Sequence, residues 1–321
     1  MMSEPLVLSL GSINADFSFP VERAARSGGT VVAGELLRTS GGKAANRAVQ
    51  ACRLGVPARL FGCVGDDDLA SQARTGPASA GVDIAGVGVA PGPTGVAAIL
   101  VEPSGEKSIT LAPGANDSWP AEHAAGVAEA LAAAPSEAVV AADLEATPGA
   151  LREVLRLTAD RGLVVVLDPS PPDRMPAEMW SAVDHVTPNA DEARRLTGVE
   201  VTSLESAAEA GAELVARGAH VAYVKLGSGG CVVVDADGAV AYEVPDVPVV
   251  DATGAGDGFA GALGAGLARG WPPVECAVVA VSASACSVGR RGSQESYAGR
   301  DEVERMARRV RPSTLAGAHG M

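Results

Sequence analysis

The sequence predicts an α/β protein: a mostly parallel sheet covered by helices on both faces, with a small second sheet beside it. Short Val/Leu-rich runs alternate with Ala-rich stretches of helical length, which is how strands buried on both faces read. Two further strand-like stretches fall outside that rhythm. A Gly-rich turn then joins an apolar strand end to a long Ala/Gly helix, an arrangement suited to binding anions.

In order, Leu6–Leu10, Arg59–Val64, Ala138–Ala142, Leu163–Asp168, His185–Thr187 and Val221–Leu226 read as strands. Lys43–Leu54, Trp119–Ala134, Gly149–Arg161, Asp191–Thr197 and Ser206–Arg217 read as the intervening helices. After Gly230, Cys231–Asp235 and Val240–Val244 flank Ala236-Asp237-Gly238, a hairpin signal. Helices over Gly256–Arg269, Pro273–Val288 and Arg300–Val310 close the chain, and Pro312–Met321 reads as a frayed tail. The two stretches outside the rhythm, Thr30–Leu37 and Gly95–Leu111, would form a small sheet over one edge or else extend the main one. The expected organisation is one unit over 1–311, with lid strands drawn from about 12–39 and 93–114, and a disordered tail over 312–321.

Composition narrows the function. Hydrophobic residues make up 47% and charged residues 20%, as in a packed globule, and the 3% of aromatics leaves the core to Val, Leu and Ala. A net charge of −14 disfavours nucleic acid and anionic membranes as partners. It does not prevent nucleotide binding, since backbone amides and a helix N-terminus suffice for phosphate. Only Lys43, Lys107 and Lys225 are lysines, a skew toward arginine that reads as genome composition. No signal peptide or membrane-length apolar run is visible, and five scattered cysteines lack any Cys-x-x-Cys pair, so a reduced cytoplasm is expected.

The strongest chemical signal is Asp251-Ala252-Thr253-Gly254-Ala255-Gly256-Asp257, entered from Val249-Val250. Its glycines let amides approach a phosphate, and a carboxylate at the start of a helix can take a proton from an attacking hydroxyl. Alternatively, Asp257 is only a helix-start residue. A dinucleotide fingerprint would need Gly or Ala where Phe259 stands, and a P-loop would need Ser or Thr where Ala44 follows Gly42-Lys43.

These blocks resemble the ribokinase (PfkB-type) family of carbohydrate kinases over nearly the whole chain. Asp251–Asp257 looks like its C-terminal signature and Gly41-Gly42-Lys43-Ala44-Ala45-Asn46 like its N-terminal one. Gly11-Ser12-Ile13-Asn14-Ala15-Asp16, Thr187-Pro188-Asn189-Ala190-Asp191-Glu192 and Lys225-Leu226-Gly227 match further blocks in family order. The resemblance implies a three-layer ribokinase-like fold with a β-sheet lid. It also implies transfer of the γ-phosphate of ATP to the primary hydroxyl of a sugar. Ser12–Asp16 and Leu144-Glu145 favour D-ribose, giving ribose 5-phosphate. The alternatives are a kinase of fructose, deoxyribose or another ketose, a nucleoside kinase, and a silent sugar-binding regulator.

The resemblance also implies roles. Asp257 would be the base, with Gly254, Ala255 and Gly256 forming the anion hole. Asn14, Asp16, Gly42, Lys43, Asn46 and Glu145 would bind sugar hydroxyls, and Ala97, Ile99 and Leu111 would cover the ring. Asn189 and Glu192 would lie near the phosphates and Mg²⁺, while Lys225, Gly227 and Gly230 would border the nucleotide beside Gly256. Asp251, Thr253, Ser287, Arg290, Gly292 and Ser296 would hold an activating potassium ion. Asp251 could instead merely cap the turn, and the guanidinium of Arg290 could take the cation's place. A homodimer through the lid would protect its edge strands. Two departures from the family stand out: Ala44 replaces a usual Gly, and Thr75-Gly76-Pro77 should break or kink a helix that the family keeps whole.

Overall fold

The computed structural model of the protein describes residues 4–25, 27–105 and 107–315. In chain order the elements are β1 (Val7–Leu10), β2 (Asn14–Pro20), β3 (Leu37–Gly41), α1 (Lys43–Arg53), β4 (Ala58–Val64), α2 (Leu69–Ser79), β5 (Val87–Val89), β6 (Gly95–Val101) and β7 (Lys107–Ala112). There follow α3 (Ala121–Ala132), β8 (Val139–Asp143), α4 (Pro148–Arg161), β9 (Val164–Asp168), β10 (His185–Val186), α5 (Ala190–Thr197), α6 (Leu204–Ala216) and β11 (Val221–Lys225). The last are β12 (Cys231–Asp235), β13 (Gly238–Glu243), α7 (Ala255–Ala268), α8 (Pro273–Ser287), α9 (Arg300–Ala307) and β14 (Arg311–Thr314).

Ten strands form one sheet in the order β14-β13-β12-β11-β10-β9-β8-β1-β4-β5. It is parallel from β11 to β5, with Val7 opposite both Ala58 and Val139, and antiparallel from β11 through β14. Alternate residues of one strand serve opposite faces. Val7 packs into the layer of α1, α7 and α8, whereas Leu8 and Leu10 pack against Val127 and Leu131 of α3 and Val154 of α4. The result is a three-layer α/β fold, and the core is mainly Val, Leu and Ala, as composition requires. No helix among the described residues is long and apolar enough to cross a membrane.

A second sheet, ordered β3-β2-β6-β7, stands apart from the first. Its makeup corrects one expectation. Thr30–Leu37 is not a strand: Val32 is 88% exposed, and pairing begins only at Leu37, which lies opposite Ser18. The missed partner is β2, whose polar Asn14 and Asp16 alternate with Ala15, Phe17 and Phe19, so that one face carries the site motif. The tail is corrected as well. Arg311–Thr314 pairs antiparallel with β13, with Pro312 on an edge strand where its missing N–H costs little, and residues 316–321 lie outside the described residues.

Helix α2 runs through Pro77 to Ser79, so of the break or kink expected at Thr75-Gly76-Pro77 the break is absent. The interruption is chemical instead. The Gly76 amide donates to Ser40 Oγ at 2.8 Å, and that hydroxyl donates to the Gln72 carbonyl at 2.7 Å. A side chain from β3 thus replaces the Gly76-to-Gln72 bond of the helix. Pro77 falls in the last turn, where few helical bonds remain to be lost.

Candidate active site

Chain order reverses at β1: β4 lies on one side and β8 on the other. In an open parallel sheet, ligands bind beyond the carboxyl ends of the strands at such a point. A cavity of about 700 Å³ lies there, roofed by the small sheet. Asn14, Asp16, Gly42, Lys43, Asn46, Ala97, Ile99, Leu111, Glu145 and Asp257 all line it, together with Gly254, Ala255 and Gly256.

Three elements deliver the polar groups on one side. Asn14 and Asp16 come from β2, and Lys43 and Asn46 from the first turn of α1. Glu145 follows the end of β8, its amide donating to Asp143 Oδ1 at 2.9 Å. Asn116 Nδ2 donates to Asn14 Oδ1 at 2.8 Å, which leaves the Asn14 amide nitrogen to donate elsewhere. Asp16 Oδ1 is buried without a hydrogen-bond partner. Burial first, then the charges of Asp257, Glu145 and Glu295, push the Asp16 carboxyl up to about 8. Burial likewise raises Glu145 to about 7, with Asp143 adding to the rise and Lys43 opposing it. Carboxyl groups of this kind can exchange hydrogen bonds with hydroxyls, donating when protonated and accepting when ionised.

Asp257 sits in the first turn of α7, only 8% exposed. Its Oδ2 accepts from Asn46 Nδ2 at 2.7 Å, and its Oδ1 lies 3.6 Å from Lys43 Nζ. Gly254 starts the helix at φ 74°, a left-handed conformation that a residue with a Cβ rarely adopts, and its carbonyl accepts from Tyr297 Oη at 2.8 Å. The Ala255 amide folds back onto the Ala252 carbonyl at 3.3 Å, leaving the first-turn amides of Gly256 and Asp257 without intrahelical acceptors. A Cβ on Gly256 would lie 3.1 Å from Lys225 Nζ, so an ammonium stands beside this helix end. Amides, dipole and ammonium together make an anion site next to a carboxylate.

On the far side, Asn189, Glu192, Lys225 and Gly227 line the cavity. Asn189 and Glu192 form a capping box on α5: Asn189 Oδ1 accepts from the Glu192 amide at 2.9 Å and Glu192 Oε2 from the Asn189 amide at 2.8 Å. One carboxylate oxygen of Glu192 is thereby committed to the cap. Gly230 is not brought to the cavity. It turns the chain between β11 and β12 at φ 87°, and a Cβ there would lie 2.2 Å from the Tyr242 carbonyl.

Of the six residues expected around a potassium ion, only Thr253 reaches the cavity. Asp251 behaves as a turn cap, accepting from the Thr253 amide at 2.8 Å and the Gly292 amide at 2.9 Å. Arg290 pairs with both carboxylate oxygens of Glu302 and donates to the Ser296 carbonyl at 3.3 Å. The Ser287 carbonyl accepts from the Arg290 amide at 3.2 Å. Thr253 Oγ1 is buried with no partner.

Sequence reading missed several lining residues. Asp168 ends β9 buried, 3.5 Å from Lys43 Nζ; although burial acts to raise its pKa, Lys43, Lys225 and Arg47 outweigh it and hold the carboxyl low. An acid at the carboxyl end of an apolar strand was the available signal. Lys107 reaches from the lid to the Ala252 carbonyl at 3.0 Å. Its signal was scarcity, since all three lysines of the chain line this one cavity.

The profile of the pfkB family of carbohydrate kinases matches residues 4–298. The chain belongs to that family. As a pfkB-family kinase it is a phosphotransferase acting on a sugar hydroxyl. It is 33% identical over 295 residues to the ribokinase of Haemophilus influenzae, covering 92% of this chain and 95% of that one. Its fold matches the Arabidopsis thaliana ribokinase solved with ribose and ATP, with a TM-score of 0.81, 28% identity and coverage of 95% and 99%. The nucleoside kinase of Methanocaldococcus jannaschii, 19% identical with a TM-score of 0.75 and coverage of 96% and 99%, shares the fold.

The acid crowding in this pfkB-family kinase has a measurable cost. Between the ordinary carboxyl value of 3.8 and about 8, folded Asp16 keeps a proton that the unfolded chain has released, so its contribution to stability falls as pH rises through that window. Asp16→Asn should therefore raise the melting temperature of the sugar-free protein, with an advantage that grows from pH 4 to 8 and then levels off. A difference independent of pH across that range would show that Asp16 is not held protonated.

Proposed function

We propose that this kinase transfers the γ-phosphoryl group of ATP to the primary hydroxyl of D-ribose, giving ribose 5-phosphate and ADP. One observation carries the reading: the Asp257 carboxylate lies between a ring of hydroxyl-binding groups and an amide-and-ammonium anion site. The Haemophilus influenzae and Arabidopsis thaliana ribokinases support ribose as the sugar. Among the described residues lining the cavity none is aromatic, so nothing there stacks a base, which favours a free sugar over a nucleoside.

In this reading Asn14, Asp16 and Glu145 pair with the sugar's secondary hydroxyls, and Ala97, Ile99 and Leu111 cover its apolar face. Lys43 and Asn46 hold the two oxygens of Asp257, fixing its carboxylate against the primary hydroxyl. Asp257 takes the hydroxyl proton as the new O–P bond forms and the bond to the ADP oxygen breaks. The Gly256 and Asp257 amides and Lys225 receive the charge that gathers on the phosphoryl oxygens. Mg²⁺, when bound, neutralises the phosphates; Asn189 and the free oxygen of Glu192 are the groups that would hold its hydration shell. The lid excludes water from the reacting phosphate. The cytoplasm is the compartment taken here, supported by five cysteines that are all unpaired.

Asp257→Asn should lower kcat by about 10²- to 10⁴-fold while ribose affinity stays nearly unchanged. In a coupled ADP-release assay, ribose should give the highest kcat/KM against deoxyribose, fructose and adenosine. Near-normal turnover of the variant would remove Asp257 from the role of base, and a better substrate in the panel would displace ribose.

A potassium ion beside the turn fits this reading. Two lone-pair sites of Asp251 are used and others remain, and the unpartnered Thr253 hydroxyl lies close by. Main-chain oxygens of Ser287, Arg290 and Gly292 and the Ser296 side chain would complete the shell, which stiffens the anion site. Replacing tetramethylammonium with potassium at constant ionic strength should raise kcat several-fold, and Asp251→Ala should abolish the response. Equal rates in both salts would leave Asp251 as a turn cap.

Two copies would associate through the lid. Strand β7 is an exposed edge, and its Ile109 and Leu111 are each 46% exposed. Light scattering should give a dimer mass at micromolar concentration; a monomer mass would end this reading.

A further inference from the structure

The groups that touch Asp257 are themselves held. A carboxylate can only accept, so the Asn46 amide must present Nδ2 to it, at 2.7 Å. Asn46 Oδ1 then faces the opposite way and accepts from Gln294 Nε2 at 3.0 Å. Both amides are 4% exposed, so water offers little substitute for this donor. Gln294 belongs to the 3₁₀ turn Gln294–Ser296, pinned by the Ser296 amide and hydroxyl donating to the Ser293 carbonyl. Its own Oε1 is buried without a partner and abuts α2, where a Cβ on Gly76 would lie 2.2 Å away. Only glycine at position 76 leaves that space. The orientation of the chain Gln294–Asn46–Asp257 is thus set from the carboxylate, which cannot donate, while Gly76 leaves room for the far end of the Gln294 amide.

We propose that Gln294 is a positioning residue for the reaction: by donating to Asn46 it fixes the amide that aims the Asp257 carboxylate at the substrate hydroxyl. The inference rests on the kinase reading above. Without the donor, Asn46 Oδ1 is buried unsatisfied, so the side chain loses its anchor and shifts to seek another donor, and it no longer holds the carboxylate in one place. The base would lose its aim while the sugar-binding groups Asn14, Asp16 and Glu145 stay in place. The loss should therefore fall on kcat rather than on binding, since small misplacements of a catalytic group cost up to about 10²-fold.

The test is a cycle of Gln294→Leu, the isosteric Gln294→Glu, Asn46→Ala and the double variants, with ribose binding measured by calorimetry and turnover by ADP release. Each Gln294 variant should lower kcat about 10- to 100-fold, with ribose affinity within about threefold and the potassium response unchanged. In the Asn46→Ala background the same substitutions should cost almost nothing further, which a merely structural role would not produce. If Gln294→Leu does not fold, Gln294→Glu preserves shape and carries the measurement. Normal kcat in a folded Gln294 variant, or an equal loss with and without Asn46, overturns the proposal while leaving an active parent as a kinase. A parent inactive on every sugar overturns the kinase reading and this proposal together.

Discussion

The site hangs on one buried ion pair, Arg47 with Asp143. Both side chains are fully enclosed, with Arg47 Nη2 at 2.8 Å from Asp143 Oδ2. The same nitrogen donates to the Leu10 carbonyl at the end of β1, and Asp143 accepts from the amides of Ser12 and Glu145. Three elements are thereby locked together at the switch point: β1 with the loop to Asn14, β8 with the turn to Glu145, and α1 with Lys43 and Asn46. Removing one partner of such a pair costs about 3–5 kcal/mol, because the other charge is left buried alone. Burial raises the Asp143 carboxyl even against Arg47.

Around this pair the chain concentrates buried charges of both signs. Lys43 is held well charged: burial acts against its proton, but Asp168, Asp257, Glu145 and Glu192 outweigh it. The acids divide accordingly. Asp168, near the cations, stays low, while Asp16 and Glu145 rise, through burial first and then neighbouring acids. Groups pushed apart in this way can serve different partners, anion on one side and hydroxyls on the other. The arginines on the surface, such as Arg156 with Glu153 and Asp160, form exposed helical pairs of small energetic weight.

Helix α2 ties the lid to this frame. Gln72 Nε2 donates to the carbonyls of Asp16 and Thr39, clamping β2 to β3, and Gly76 leaves room for Gln294. The lid strands that carry Asn14 and Asp16 and the turn that holds Asn46 are therefore seated on one helix.

Periodicity and glycine placement determined the layered α/β class, most element positions within a residue or two, and the Asp251–Asp257 turn, because these depend on local backbone preference and burial. Most motif residues around the cavity were legible through the resemblance of their blocks to the pfkB family, and they do line one cavity. Tertiary structure alone decided the rest. Val31 and Val32 look like strand, but no strand among the described residues pairs with them, and the pairing went to Leu37–Gly41. Gly230 serves a hairpin and is not brought to the cavity, while Asn116 and Gln294 carry no local signature. Each acts through a neighbour dozens to hundreds of residues away, as Gln294 does on Asn46, and sequence spacing does not encode such a meeting.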